Sequence, residues 1–171
     1  MSNARPARFT VDDARAFVQE RGVVLASAKG SAPNLVEAIV GRPVKGSWWG
    51  HPEGKHIYAT LRALAESDEV LVCRLVDGKV TLVHRRLWPA LAQLAGRFLP
   101  EQISRVREEH TASGHHVSRA VPFPEWVPPA VLQEASALSE EKALAAFGAW
   151  LPAGFPAKVR RPPTRPPRPQ P

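Results

Sequence analysis

The chain has 171 residues, and 44% of them are apolar, which is enough for one domain with a buried core. Its net charge of +7 owes most to the stretch 153–171, where five basic residues and no acid leave 18 basic against 16 acidic side chains in the rest. A single cysteine excludes an internal disulfide, and no segment approaches the ~18 consecutive apolar residues of a membrane span, so we expect a cytoplasmic protein.

The N-terminal part of the chain predicts two helices with a short apolar run between them. Residues 1–8 are expected to be flexible. Thr10 is a good N-cap for a helix with an apolar stripe, and Gly22 is a natural stop. Residues 23–26 then form a short strand or a buried turn. A second helix is predicted over 31–40, with Gly41 closing it.

A loop rich in breakers separates the second helix from a third. The stretch RPVKGSWWGHP, at 42–52, contains two tryptophans and the breakers Pro43, Gly46 and Gly50. The pattern after it predicts an amphipathic helix over 53–66. Its core-facing positions are Ile57, Leu61, Leu64 and Ala65, and its solvent-facing positions include Lys55, Arg62 and Glu66.

The strongest local signal predicts a β-hairpin over about 70–84. The runs VLVCRLV and KVTLVH flank Asp77-Gly78, a pair that favours type I′ turns. A two-residue loop fixes the register and pairs Cys73 with Leu82. Alternation then predicts one core face and one half-solvated, weakly basic face. The predicted core face holds Leu71, Cys73, Leu75, Val80, Leu82 and His84.

The remaining chain is predicted to be helical, ending in a disordered tail. A helix is expected over 87–99, a polar helix over 100–110, and a loop over 111–128. Two short helices follow over 129–138 and 140–151, with Ser139 capping the second. Residues 152–171 are rich in proline and arginine and cannot bury a core, so we expect disorder with polyproline II character. One domain therefore spans 9–151.

A basic helix followed by a basic hairpin is typical of a winged helix facing nucleic acid. We therefore expect an α+β, mostly helical, winged-helix-like fold with a central hairpin. Its partner would be duplex DNA, contacted largely through phosphates. The candidate nucleic-acid-binding residues are Lys45, Trp48, Trp49, Lys55, His56, Arg62, Arg74, Lys79, Arg85 and Arg86.

Each unusual residue type also has an alternative interpretation. Either of the two tryptophans stacks on bases, or it anchors the loop in the core. His110, His115 and His116 lie near Glu108 and Glu109, which allows a carboxylate and imidazole metal site. The spacing matches no known metal motif, so we predict neither a metal nor a cofactor. His84 is expected to be a hydrogen-bonded structural histidine.

The order of features over 9–91 resembles a known family. The segments FTVDDARAFVQERG, PNLVEAIVGRP, SWWGHPEGKHIYATL and DGKVTLVHRRLWPAL are similar to small bacterial winged-helix proteins related to the AlkZ-type DNA glycosylases. In those glycosylases a Gln-x-Asp or Gln-x-Gln pair carries catalysis. Here the residues two positions after Gln19, Gln93, Gln102 and Gln133 are Arg21, Ala95, Ser104 and Ala135, and the sequence has no position 172 to pair with Gln170. The resemblance implies a DNA-binding fold without glycosylase activity.

No catalytic signature of another kind accompanies these elements, because GxSxG, Walker A and GxGxxG patterns are absent. The sequence therefore predicts a non-catalytic DNA-binding protein. One alternative is a protein-interaction or structural domain whose Pro/Arg tail docks on a partner. Another is a glycosylase- or hydrolase-related enzyme with an unrecognised site.

Overall fold

The computed structural model describes residues 8–27, 34–44, 48–76, 79–98, 103, 105–110, 116–121 and 123–147, with backbone alone at positions 49, 74–76, 79, 105–110, 116–121 and 124. The helices are α1 (Val11–Arg21), α2 (Leu35–Val40), α3 (Gly54–Glu66), α4 (Trp88–Gln93), α5 (Phe123–Trp126), α6 (Pro129–Ala137) and α7 (Glu140–Phe147). The strands are β1 (Val23–Leu25), β2 (Val70–Val76), β3 (Lys79–His84), β4 (Arg105–His110) and β5 (His116–Val121).

The ends of α1 and α2 are fixed by local side chains. Thr10 and Asp13 form a reciprocal capping box at the start of α1, and Gly22 ends it at φ 79°. Asn34 caps α2 by accepting a hydrogen bond from the Glu37 amide, so this helix begins at Leu35. The predicted start of α2 at 31 is therefore wrong, because Asn34 has an extended backbone and caps the helix from outside it.

The first six elements have the connectivity of a winged helix. The β1 strand lies between α1 and α2, α3 follows, and β2 and β3 form the predicted hairpin. All three strands pair antiparallel in the order β1-β3-β2, with Val23 opposite Val83 and Val76 opposite Lys79. The α+β, winged-helix-like expectation is confirmed, and residues 23–25 form a strand rather than a turn.

A β-bulge between Cys73 and Val76 changes the predicted register. Cys73 lies opposite Thr81 rather than Leu82, because the bulge places an extra residue on β2. Leu71, Cys73 and Val83 consequently share one face of the sheet, while Val70 and Leu82 lie on the other. The prediction placed Leu71, Cys73 and Leu82 on one face, and this is wrong: between Cys73 and the base of the hairpin, the residues of β3 lie on the opposite face from the one predicted.

Both faces of the sheet are buried, each under its own layer of helices. Val24, Val70 and Leu82 pack with α1, α2 and α3, which we call the α1–α3 layer. On the opposite face, Leu71 and Val83 pack with α4 to α7, which we call the α4–α7 layer. The expectation of a half-solvated face is wrong for Thr81 and Val83, which are buried, and Val83 packs under the C-terminal helices. The side chains of Arg74, Val76 and Lys79, expected on the same face, lie outside the described part.

Three aromatic rings organise the α4–α7 layer. Trp88 lies edge-to-face with Phe123 at 6.5 Å and with Trp126 at 5.1 Å between ring centroids, and Phe123 and Trp126 are 5.3 Å apart. Such T-shaped pairs add stabilisation beyond burial. The predicted helix 87–99 is only partly helical: α4 ends at Gln93, and residues 95–97 form a 3₁₀ turn.

Residues 105–110 and 116–121 pair as two antiparallel strands where the sequence predicted a polar helix and part of a loop. Arg107 lies opposite Arg119, and His110 lies opposite His116 in the ladder of β4 and β5. Both predictions are wrong here because each segment obtains its backbone hydrogen bonds from the other. The β-branched Val106, Val117 and Val121 suit this pairing.

The C-terminal helices α6 and α7 match their predictions closely, and Ser139 caps α7 by accepting a hydrogen bond from the Lys142 amide. The predicted end of α7 at 151, the N-terminal residues 1–7 and the tail 152–171 lie outside the described residues. Within the described ranges, no helix is both long and apolar enough to cross a membrane.

Candidate nucleic-acid interface

All the exposed side chains of α3 lie on one stripe. They are Lys55, Tyr58, Ala59, Arg62 and Glu66. At about 100° per residue these positions fall within an arc of roughly 100° on the helix surface. Ile57, Thr60 and Leu64 face the opposite way and are buried. The helix therefore offers solvent a single narrow surface, with two cations about 10 Å apart along its axis.

One polar contact lies within α3, and a second ties α3 to the start of α1. The Thr60 hydroxyl donates to the His56 carbonyl at 2.9 Å, which satisfies a buried polar group. The His56 ring nitrogen Nε2 lies 2.8 Å from the Phe9 carbonyl at the start of α1. His56 was predicted to contact nucleic acid, but the structure gives it a half-buried position that ties α3 to α1.

The loop before α3 is folded by successive turns. The Glu53 amide donates to Nδ1 of His51 at 3.1 Å, and the His51 amide donates to the Trp48 carbonyl at 3.0 Å. Trp48 is half-buried and packs against the α1–α3 layer, as the anchoring alternative predicts. Lys45 and the Trp49 side chain, both predicted to contact nucleic acid, lie outside the described residues.

Charge changes sign along α3. Lys55 lies in the first turn, whereas Glu66 ends the helix and is followed by the exposed Asp68 and Glu69. We call these three acids the acidic corner. Arg62 forms an ion pair with Glu66 at 3.1 Å, and both side chains are substantially exposed. Such a pair contributes at most about 1 kcal/mol, so a phosphate can replace the carboxylate as the partner of Arg62.

The hairpin carries two further predicted cations near its tip. Arg74 and Lys79 lie at the ends of β2 and β3 next to the connection, and their side chains are outside the described part. The base of the hairpin, at Val70, follows the acidic corner directly. At about 3.3 Å per residue the tip lies roughly 20 Å from that corner. The tip is therefore remote from the acidic corner, and Lys55 lies about 16 Å from Glu66 along the helix axis.

Arg85 and Arg86 lie at the base of the hairpin, so the structure does not bring them together with the tip. The Arg86 guanidinium donates to the carbonyls of Gln19 and Glu20 at 3.2 and 3.4 Å and so caps the end of α1. The Arg85 guanidinium lies 5.9 Å from the Trp88 ring centroid. These two arginines have contacts within the domain that account for their position without a nucleic acid.

No family model, curated protein or solved structure matches the chain. The resemblance to relatives of the AlkZ-type DNA glycosylases therefore stays a prediction. The site is interpreted on its geometry and charge alone.

Among the described residues, neither the cysteine nor the histidines form a recognisable catalytic or metal-binding group. Burial raises the pKa of the Cys73 thiol far above its ordinary value, and its S–H points to the Thr81 carbonyl at 3.6 Å. A thiol held in this way is a poor nucleophile. His110 and His116 face each other in the second ladder, and His115 lies outside the described residues. The described side chains include no group of three or more potential metal ligands.

Tyr58 and Ala59 lie on the same exposed stripe, and the sequence analysis did not name them as candidates. Tyr58 is 40% exposed and lies between the two cations of the stripe. The helical spacing from Lys55 through Tyr58 and Ala59 to Arg62 was visible in the sequence. The two residues were missed because only basic residues were selected on this face, and Tyr58 and Ala59 carry no charge.

His84 predicts a pH dependence of stability. Its half-buried ring accepts a hydrogen bond at Nδ1 from the Arg86 amide at 3.3 Å. Burial, and then the nearby Arg86 charge, hold the pKa of His84 below its ordinary 6.5, while Glu69 acts in the opposite direction. The unfolded chain therefore binds this proton more tightly than the folded chain. Stability should fall as the pH drops below 6.5.

The measurement is urea unfolding at several values between about pH 5 and 8, on the wild type and on His84→Asn. The amide of asparagine offers an acceptor but does not titrate in this range. The wild type should lose more stability than the variant on acidification. Parallel pH profiles would show that His84 titrates alike in the folded and unfolded states.

Proposed function

We propose that this chain is a cytoplasmic, non-catalytic protein that binds duplex DNA through α3 and the tip of the β2–β3 hairpin. The observation that carries the proposal is the single exposed stripe of α3, with Lys55 and Arg62 on it, within a winged-helix connectivity. In this arrangement a helix enters the major groove and the adjacent hairpin lies along the backbone. Cations on both elements then neutralise phosphates.

The distribution of charge supports one orientation on the duplex. Lys55 lies in the first turn of α3, whereas Arg62 lies one turn before Glu66 and pairs with it. Like charges repel, so a polyanion approaches from the side of Lys55 and the hairpin tip, and Arg62 is the cation nearest to the acidic corner. Recognition helices place their N-terminal residues against base edges in the same manner.

Phosphate contacts can be counted through the salt dependence of binding. Each lysine or arginine that neutralises a phosphate releases condensed counterions and contributes about −0.9 to the slope of log K against log salt. We expect the variant Arg62→Ala/Arg74→Ala/Lys79→Ala to bind duplex DNA more weakly on every sequence. Its slope should be shallower by ~0.9 for each phosphate that the variant no longer neutralises. Fluorescence anisotropy titrations of a labelled duplex at several salt concentrations measure both quantities.

A matched control removes the same number of positive charges elsewhere. Arg15, Arg97 and Lys142 lie on α1 and in the α4–α7 layer. Changing all three to alanine should leave the slope close to that of the wild type, apart from a small general effect of net charge. If both triple variants change the slope equally, or neither does, α3 and the hairpin are not the DNA-binding face.

The alternative, a domain that acts through its Pro/Arg tail, gives a different result. A full-length variant with the five tail cations (Lys158, Arg160, Arg161, Arg165 and Arg168) changed to glutamine should retain most of its affinity if the folded domain binds DNA. If the tail variant loses all binding while the Arg62→Ala/Arg74→Ala/Lys79→Ala variant binds like the wild type, the tail is the binding element and the proposal is overturned.

A further inference from the structure

The middle of the α3 stripe is apolar, although both sides of it are charged. Tyr58 follows Lys55 by three positions and precedes Arg62 by four, and the exposed Ala59 lies next to it on the stripe. In the described part of the chain, Tyr58 and Leu132 are the large hydrophobic side chains that are exposed. Leu132 is on α6 in the other layer. Tyr58 belongs to neither buried cluster.

Phosphate binding gives no reason for an aromatic ring and a methyl group at this position. Phosphates bordering the groove are contacted by the cations on either side, and the residues between them face the edges of the bases. In the major groove the distinctive apolar group is the 5-methyl of thymine, which alanine and aromatic side chains contact. The stripe thus pairs two phosphate-binding cations with an apolar patch of the right kind for that methyl group.

We propose that Tyr58 and Ala59 contact thymine 5-methyl groups and give this protein a preference for thymine at the positions under α3. This inference rests on the proposed binding of duplex DNA. It adds specificity, since phosphate contacts alone treat all sequences alike.

Replacing thymine by deoxyuracil tests the inference, because it deletes the methyl group and keeps the base pair and the backbone charge. A mixed-sequence duplex is prepared with thymine, and again with deoxyuracil on both strands. Burial of one methyl corresponds to about fourfold in affinity, so the wild-type chain should prefer the thymine duplex by about fourfold per methyl contacted. The preference should not depend on salt, because it involves no counterion release.

The preference must also depend on the two residues named. In Tyr58→Ala the affinity ratio between the duplexes should shrink towards one, and Ala59→Ser should reduce it in the same direction. Leu132→Ala, which trims the exposed leucine of the other layer, should keep the wild-type ratio. Comparing ratios removes any effect that deoxyuracil has on the shape of the duplex, since that effect is common to all variants. A thermal melt of each variant verifies that it is folded.

The outcomes separate this inference from the proposed function. Salt-dependent binding with equal affinity for both duplexes would overturn thymine reading and leave phosphate binding in place. A thymine preference that persists in both Tyr58→Ala and Ala59→Ser would assign it to other residues, and so overturn the inference as well. Absence of salt-dependent binding to either duplex would instead refute the proposed function.

Discussion

Trp88→Ala should destabilise the protein by about 3–5 kcal/mol, as is usual when a large aromatic side chain is removed from a core. Trp88 is only 1% exposed and packs edge-to-face against Phe123 and Trp126. Its indole N–H also donates to the Val83 carbonyl at 3.1 Å, which joins α4 to the central strand. The substitution removes the ring packing and leaves a buried carbonyl without this donor.

Urea unfolding followed by circular dichroism measures the effect. Leu132→Ala is the control, because that side chain is 41% exposed and its loss should change stability by less than about 0.5 kcal/mol. Trp88→Phe retains an aromatic ring and loses the hydrogen bond, so its effect should be intermediate. A loss below about 1 kcal/mol for Trp88→Ala would contradict the described packing of the α4–α7 layer.

Gly22→Ala should lower stability by about 1–3 kcal/mol, the usual cost of forcing a side chain into a sparsely populated backbone conformation. Gly22 has φ 79°. A Cβ there would meet the Arg86 guanidinium at 2.7 Å and Cδ1 of Leu87 at 2.9 Å. Arginine side chains can move, but this one caps α1, and moving it breaks its bonds to the Gln19 and Glu20 carbonyls.

Two other glycines provide a scale for the loss at Gly22. Gly41 has φ 77° and ψ 13°, in the left-handed helical region, and a Cβ added there would have no atom within 4 Å, so Gly41→Ala reports the strain of that milder conformation alone, whereas Gly22 has ψ −49°. Gly96 lies in a 3₁₀ turn with equally open surroundings, and Gly96→Ala should be nearly neutral. Thermal unfolding should rank the losses as Gly22, then Gly41, then Gly96. Equal losses at Gly22 and Gly41 would mean that the proximity of Arg86 adds nothing.

The parts of the fold that were predictable from sequence are those with local causes. The cap at Thr10, the stop at Gly22 and the turn signal at Asp77-Gly78 each act over a few residues, and α1 and the hairpin appear where they predict. The bulge after Cys73 has no such signal. It depends on which side chains each layer of helices must cover, and α5 to α7, which complete the α4–α7 layer, come from a distant part of the chain.

The candidate site divides in the same way. Exposure of Lys55 and Arg62 followed from helical periodicity, because the buried residues of α3 lie on the opposite side. The roles of His56 and Arg86 could not be predicted from such a pattern. Their partners, the Phe9 and Gln19 carbonyls, are 47 and 67 residues away in the chain, beyond the reach of any local pattern.

The order of strands in the sheet has a consequence for folding on the ribosome. Val23 and Val83 face each other although sixty positions separate them, whereas β2 and β3 are neighbours in the chain. At about 5–20 residues per second, synthesis of β3 follows that of β1 by roughly 3–12 s. A hairpin forms in about 1–10 μs. The three residues of β1, all buried in the folded protein, therefore stay unpaired for seconds, and the sheet is completed only once β3 has emerged.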